Sequence, residues 1–246
     1  MNILVCVSHV PDTTARIDFV EDGKKYNKAE IQFVINPFDE LSLTRALEIK
    51  DKTNAKVTVV NVGLQETEPT IRKALAMGAD DAIRVNIEPT DAYQVATQIA
   101  EVFKNGEFDV ILTGKESSDY NGSQVGEMLS DILGIPSVTS ASHLELEDGK
   151  GIVTREMADG YETFEVAFPF MASGQKGIAE EPRIPSMRGI MMARSKKLEV
   201  VEPTAVEPLT ELLVHELPEA KGKCKIIDAE HLEELVDLLH NEAKVI

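Results

Sequence analysis

The sequence predicts an α/β protein with a doubly wound, mainly parallel β-sheet, an antiparallel β extension and a C-terminal arm. Three observations support this fold class. Short β-branched runs alternate with helical patterns from Met1 to about Pro136. Asp-Gly pairs beginning at Asp148 and Asp159 then separate three more strand-like runs, which is a strong hairpin signal. Beyond about Pro182 the chain becomes rich in proline, methionine and charge.

The first half of the chain predicts the parallel part of the sheet. Residues 3–7 are continuously apolar, as expected of a strand that is buried on both faces. A second apolar stretch ends at Asn36-Pro37, and helical spacing of leucine and isoleucine follows. The predicted elements are strand 3–7, apolar stretch 31–35, helix 38–51, strand 57–62, helix 70–77 ending at Gly78, strand 82–85, helix 92–103, strand 110–113 ending at Gly114, and helix 125–133. This alternation predicts right-handed βαβ units and hence a Rossmann-like sheet.

The remainder of the chain predicts additions to that sheet. Strands over 138–146, 151–157 and 161–168 form an antiparallel extension of about residues 137–175. We expect the extension to belong to one α/β domain, residues 1–181. Residues 182–198 form a separate loop, and residues 199–246 form an arm that ends in a helical pattern over 232–239 and lies on something else.

Composition excludes several classes of function. A net charge of −18, from 25 basic and 43 acidic residues, argues against a nucleic-acid partner, because binding phosphates needs a basic surface. The sequence lacks a run of 18 apolar residues and a basic N-terminal leader, so we expect no membrane insertion. The two cysteines and five scattered histidines predict neither a disulfide framework, a metal site nor a catalytic triad. A cytoplasmic protein without catalytic residues of its own is expected.

The loop after strand 110–113 is the best candidate for a ligand site. Ligands of open α/β sheets bind beyond the carboxyl ends of the strands. Gly122 and Ser123 are predicted to open the next helix, where free N–H groups and the helix dipole favour an anion. The alternative is a capped helix after a solvated loop. Because neither G-x-G-x-x-G nor a P-loop occurs, a mononucleotide is favoured over a dinucleotide.

A local charge asymmetry marks a second candidate site. Residues 183–198 carry five basic residues, no acidic one, and three of the eight methionines. Methionine repacks easily, so such a segment is typical of a protein-docking surface. A solvated basic loop that neutralises nearby acids is the alternative.

Several separated motifs resemble the β subunit of electron transfer flavoproteins along nearly the whole chain. The more specific ones are Ala74 to Asp80 and the stretch from Pro182 to Lys197. The others are the apolar N-terminal strand from Asn2, the Asn36-Pro37-Phe38-Asp39-Glu40 motif, Gly114-Lys115 with its downstream loop, and Asp159-Gly160-Tyr161-Glu162.

The resemblance implies an adenine nucleotide α-hydrolase-like fold and a heterodimer with an α subunit that carries the redox FAD. It also implies one AMP bound in this subunit as a structural ligand, with Phe38 approaching the flavin of the partner. By position, the AMP contacts would be Cys6, Asn36, Pro37, Phe38, Asp39, Val62, Asp119, Tyr120, Asn121, Gly122, Ser123, Gln124, Val125, Gly126, Glu127, Met128, Leu129 and Ser130.

The basic, methionine-rich segment corresponds by resemblance to the loop that docks on flavin dehydrogenases such as acyl-CoA dehydrogenases. Electrons would then pass toward a quinone oxidoreductase, and the C-terminal arm would pack on the α subunit. Met187 stands where relatives often place an anchoring leucine. The docking residues implied in this way are Arg183, Met187, Arg188, Ile190, Met191, Arg194, Lys196 and Lys197.

Two alternatives stay open. Residues 159–162 and 189–191 resemble a branch of the family that binds a second FAD in place of AMP and bifurcates electrons from NADH, whereas Lys115 and residues 119–124 resemble the AMP type. The other alternative is an ATP-binding regulatory module related to universal stress proteins, which the basic arm and the roughly 100 residues beyond the sheet argue against.

Overall fold

A computed structural model describes residues 1–222 and 224–246. Its core is a nine-stranded sheet in the order β11-β10-β9-β12-β8-β1-β6-β7-β13. The strands are β1 Asn2–Cys6, β6 Lys56–Val62, β7 Asp81–Val85, β8 Val110–Gly114, β9 Ser137–Glu147, β10 Lys150–Met157, β11 Gly160–Ala167, β12 Phe170–Gly174 and β13 Leu198–Val201. All neighbours from β9 to β13 pair in parallel, and β10 and β11 add an antiparallel edge.

Helices cover both faces of this sheet, which confirms the doubly wound α/β prediction. One face packs under α1 and α2 in a cluster that includes Leu43, Leu47 and Leu75, and the other packs under α3 and α4 around Ile99 and Leu129. The helices are α1 Pro37–Thr53, α2 Glu68–Met77, α3 Ala92–Lys104, α4 Val125–Leu133, α5 Met187–Ala193 and α6 Leu232–Asp237, with a short 3-10 turn at Gln65–Thr67 and a π-helical turn at Leu238–Glu242.

Local signals explain where the helices begin and end. Pro37 occupies the first turn of α1, and Asn54 ends it in the left-handed region at φ 55°. Gly78 ends α2 at φ 139°, a conformation that favours glycine. Asp91 caps α3 by accepting a 2.7 Å hydrogen bond from the amide of Gln94. These signals lie within a few residues of each boundary, so the sequence predicts them well.

Six short strands differ from the sequence-based expectation. The apolar stretch 31–35 contributes β5, Phe33–Ile35, which pairs with β2, His9–Pro11, outside the main sheet. A separate hairpin joins β3, Phe19–Val20, to β4, Lys25–Tyr26. Strand β12 lies between β8 and β9, and β13 adds an edge strand from the predicted arm. All of these strands have five residues or fewer, and apart from the β3–β4 hairpin their partners are distant in sequence, so periodicity alone does not show them.

The first part of the C-terminal arm packs on the α/β domain, with contacts at Thr204 and His215. Gln98 of α3 exchanges two hydrogen bonds with the backbone of Thr204, and the ring of His215 stacks on Phe19 at 5.0 Å between centroids. Beyond this point large apolar side chains are exposed, Leu217 and Ile226 among them. Within residues 1–222 and 224–246, no helix is both long and apolar enough to cross a membrane.

Candidate functional site

The candidate ligand site lies at the carboxyl edge of the sheet, where α1 begins close to the ends of β1 and β8. Asp39, in the first turn of α1, accepts hydrogen bonds from two strand ends: Ser8 N to Oδ2 at 2.7 Å and Gly114 N to Oδ1 at 2.8 Å. A Cβ on Gly114 would clash with Asp39, and it would lie 2.8 Å from Phe38 Cβ. Glycine therefore allows α1 to approach the end of β8.

Asn36 holds the loop that follows β8 in a similar way. Its amide nitrogen donates to the carbonyl of Glu116 at 2.8 Å, and its oxygen accepts from the amide of Ser118 at 3.1 Å. Asn36 is buried, and so is Asp39. The two predicted site residues therefore act on the shape of the site through backbone contacts.

The buried carboxyl group of Asp39 sets the electrostatics beneath the site. Burial raises its pKa to about 6, although the N–H groups of Ser8 and Gly114 stabilise the carboxylate and oppose that shift. Burial, and after it the nearby Asp39 carboxylate, raises the pKa of the Cys6 thiol. Cys6 is therefore a protonated, buried side chain and not a reactive thiolate.

The loop before α4 adopts a strained conformation. Asn121 and Ser123 both have φ 48°, in the left-handed region, and Ser123 Oγ donates to Glu116 Oε2 at 3.2 Å. Helix α4 starts only at Val125, so the expectation that Gly122 and Ser123 open the helix is wrong by two residues. Because the left-handed conformations keep the backbone out of a helical path, the first turn begins after them.

The start of α4 carries features that suit an anionic ligand. Gln124 stands at the N-cap position and its side chain makes no capping hydrogen bond, so it does not satisfy the first N–H groups of α4. Gly126 brings the first turn of α4 close to the end of β8, because a Cβ at this position would lie 3.1 Å from Thr113 Oγ1 and from Met171 Cε. The hydroxyl of Thr113 is buried and has no hydrogen-bond partner among the described residues. Unsatisfied buried hydroxyls are rare, and a bound ligand would explain this one.

Other predicted contacts surround this point. Cys6, Val62 and Leu129 lie in one buried cluster, against which Val125 and Met128 pack. Phe38 is half-buried. Pro37, Asp119, Tyr120, Asn121, Gly122 and Gln124 are exposed around the loop, whereas Gly126 and Ser130 are buried and Glu127 is half-buried. Ser130 donates its hydroxyl to the carbonyl of Glu127 at 2.9 Å, and Leu129 is fully buried, so both side chains are engaged within the protein.

Residues 182–198 form the second candidate site, on the outer side of α2. Helix α5 exposes Met187, Ile190, Met191 and Met192, and the side chains of Met187 and Met191 are 75% and 72% exposed. The cations divide into two groups. Arg188, Arg194 and Lys197 are exposed, whereas Arg183 pairs with Asp51 and Lys196 turns toward α2. Arg72 of α2, which is not among the predicted docking residues, donates to the carbonyl of Ala193 at 2.8 Å.

Comparisons with known proteins agree with one another. The family described as "Electron transfer flavoprotein domain" matches residues 25–206. The chain is 34% identical to the "Electron transfer flavoprotein subunit beta" of Bacillus subtilis (strain 168), over 100% of both chains. It is 38% identical to the protein of that name in Syntrophomonas wolfei, over 90% of this chain and 88% of the relative. It is also 34% identical to the "Acryloyl-CoA reductase electron transfer subunit gamma" of Anaerotignum propionicum, over 86% of this chain and 82% of the relative.

The fold and the carboxyl-edge site together define a protein of the Rossmann-like, doubly wound α/β class. The family match and the full-length similarity define it further. The chain belongs to the electron transfer flavoprotein family and is similar to its β subunits, so its function is electron transfer as part of a flavoprotein.

Proposed function

We propose that this chain is the β subunit of a heterodimeric electron transfer flavoprotein that binds AMP as a structural ligand. The redox FAD is held mainly by the α subunit. That flavin supplies the electron chemistry when bound, while the protein supplies binding, orientation and electrostatics. The complex carries electrons from flavin dehydrogenases, such as acyl-CoA dehydrogenases, toward a quinone oxidoreductase.

The observation that carries the AMP assignment is the buried Thr113 hydroxyl, which has no partner in residues 1–222 and 224–246, beside the uncapped start of α4. A phosphate fits the N–H groups of a helix start, and a buried hydroxyl can donate to a phosphate oxygen. The apolar cluster around Cys6 and Val62 suits the flat face of a base. Asn36 and Asp39 would act beneath the nucleotide by holding the loop and the strand ends.

The relative with a printed partner supports an enzyme of CoA thioesters as a redox partner of this chain, although a reductase accepts electrons and does not donate them. The Anaerotignum protein is named as the electron transfer subunit of an acryloyl-CoA reductase, which acts on a CoA thioester. On this chain, the exposed methionines of α5 and the cations Arg188, Arg194 and Lys197 provide an apolar surface with a basic rim. We expect them to fit an apolar pocket with acidic surroundings on a dehydrogenase.

Identifying the released nucleotide tests the proposal. The chain is co-expressed with its candidate α partner, purified as a complex and denatured, and the nucleotides are separated and quantified. One AMP and one FAD per heterodimer is the expected result. Two FAD per heterodimer would favour the bifurcating alternative, and ATP from a homodimer of this chain would favour the regulatory module. A stable complex without nucleotide would contradict the proposal.

A further inference from the structure

Two cations join the C-terminal ends of α2 and α5 in a reciprocal arrangement. Arg72 of α2 donates from Nη1 to the carbonyl of Ala193 at 2.8 Å and to that of Lys196 at 2.9 Å. Lys196 in turn donates from Nζ to the carbonyls of Leu75 at 3.0 Å and Ala79 at 2.5 Å. Arg72 of α2 thus donates to carbonyl groups at the end of α5, and Lys196, which follows α5, donates to carbonyl groups at the end of α2.

The arrangement is favourable because the last carbonyls of a helix have no partner within the helix and carry partial negative charge. Lys50 of α1 also donates to the end of α2, to the carbonyl of Gly78 at 2.9 Å. Helix α5 has only seven residues, too few to be stable by itself in water. Its position therefore depends on contacts with α2.

Close backbone packing completes the contact. A Cβ on Gly189 would collide with the carbonyl oxygen of Ala76, so α5 lies directly on the backbone of α2. Ala193 is buried on the same side. On the other side Met187 and Met191 are exposed, and the apolar surface of α5 therefore faces away from the sheet.

We propose that Arg72 and Lys196 are positioning residues that hold α5 on α2, so that its exposed methionines are presented to the docking partner. This inference rests on the proposed docking role of residues 182–198. The inference assigns different roles to the neighbouring residues Lys196 and Lys197, which the sequence alone does not distinguish. Lys196 is directed inward, whereas Lys197 is exposed and pairs with Glu199 at 2.6 Å.

Hydrogen–deuterium exchange on the complex with the α subunit tests the positioning directly. In Arg72→Ala and Lys196→Ala, amides of residues 187–197 should exchange about tenfold faster, equal to about 1.4 kcal/mol of local opening free energy. In the matched control Lys197→Ala the exchange rate should stay unchanged. Wild-type exchange in both Arg72→Ala and Lys196→Ala, or equal acceleration in the Lys197→Ala control, would overturn the inference.

A kinetic measurement links positioning to docking. With a reduced acyl-CoA dehydrogenase from the same genome as electron donor, Lys196→Ala should raise the apparent KM severalfold and leave kcat and nucleotide content unchanged, and Lys196→Arg should restore the KM. A fall in kcat or nucleotide content at unchanged KM would contradict the role. If the alanine variants do not fold, Gly189→Ala displaces α5 sterically without removing a charge, and it should give the same faster exchange; wild-type exchange there would count against the inference.

The two proposals fail in different ways. If Met187→Ala leaves the KM unchanged, residues 182–198 do not dock the dehydrogenase, and the proposed docking role is wrong. If Met187→Ala raises the KM while Lys196→Ala leaves both KM and exchange unchanged, docking stands and the positioning role of Lys196 is wrong.

Discussion

The Oδ1 atom of Asp39 lies 2.8 Å from the amide nitrogen of Gly114 and joins the first turn of α1 to the carboxyl end of β8. The second oxygen accepts from Ser8 after β1, so one buried side chain connects three elements around the candidate nucleotide site. Each of these donors would lose its partner if the carboxyl group were removed, which makes Asp39 a sensitive position.

Asp39→Asn should lower the free energy of unfolding by about 1–3 kcal/mol, because the new NH₂ group would face a backbone N–H and leave that buried donor unsatisfied. Urea unfolding of the full chain at pH 4, where the contribution of Asp39 is still present, measures the change. Glu107→Gln, at an exposed position, serves as the control and should change stability little. Equal stability of Asp39→Asn and wild type would show that the contact with Gly114 contributes nothing.

The raised pKa of Asp39 predicts a pH dependence of stability. The folded protein holds this proton up to about pH 6, whereas the unfolded chain releases it near the ordinary value of 3.8. Between these values the folded state binds more protons, so the contribution of Asp39 to stability is fully present below about pH 4 and is lost as pH rises through about 6. The unfolding free energy of wild type minus that of Asp39→Asn should fall by up to about 1.4 kcal/mol per pH unit across this window. A difference that stays constant from pH 4 to 6.5 would contradict the prediction.

Thr113→Val should reduce nucleotide binding without destabilising the fold. The substitution keeps the shape and removes a hydroxyl that has no partner among the described residues, so stability should be unchanged or slightly higher. Loss of one ligand hydrogen bond of about 1 kcal/mol weakens binding about fivefold, which equilibrium dialysis with AMP measures. Thr58→Val, in the amino-terminal half of β6, is the matched control. Unchanged affinity in Thr113→Val would remove the main support for the AMP site.

Met187→Ala should raise the apparent KM for the dehydrogenase by about tenfold while nucleotide content stays at the wild-type value. Met187 is 75% exposed on α5, and loss of a central apolar anchor weakens binding without altering a distant site. Met157→Ala, at an exposed methionine at the end of β10, provides the control. Steady-state reduction of the complex by the dehydrogenase gives the KM. Loss of nucleotide in Met187→Ala would argue against a docking role.

Removal of residues 216–246 should prevent stable association with the α subunit. The stack of His215 on Phe19 is retained, and the removed segment exposes apolar side chains such as Ile226 and Val236, which suit a partner surface. Size-exclusion chromatography of the co-expressed subunits measures the association. Removal of residues 244–246 alone is the control. A truncated chain that still co-elutes with the α subunit would place the main interface elsewhere.

The candidate site shows how far prediction from the sequence reaches. Asn36 and Asp39 were found through a family motif, and the structure brings both beside the loop after β8. Thr113 precedes Gly114 at a predicted strand end, yet what distinguishes it from other strand threonines is a buried hydroxyl with no partner in the part of the chain that the structure describes. The different surroundings of Lys196 and Lys197 could not be read from a basic run, because orientation depends on packing against α2.

The sequence by itself determined the alternation of strands and helices, the ends of the helices and the two Asp-Gly turns, because these follow from periodicity and from contacts within a few residues. It also marked the basic, methionine-rich segment. Only the tertiary structure decided that β12 lies between β8 and β9 and that β13 extends the sheet at β7. It likewise decided which charges turn inward, since such pairings join residues more than 100 positions apart and depend on the burial of the whole fold.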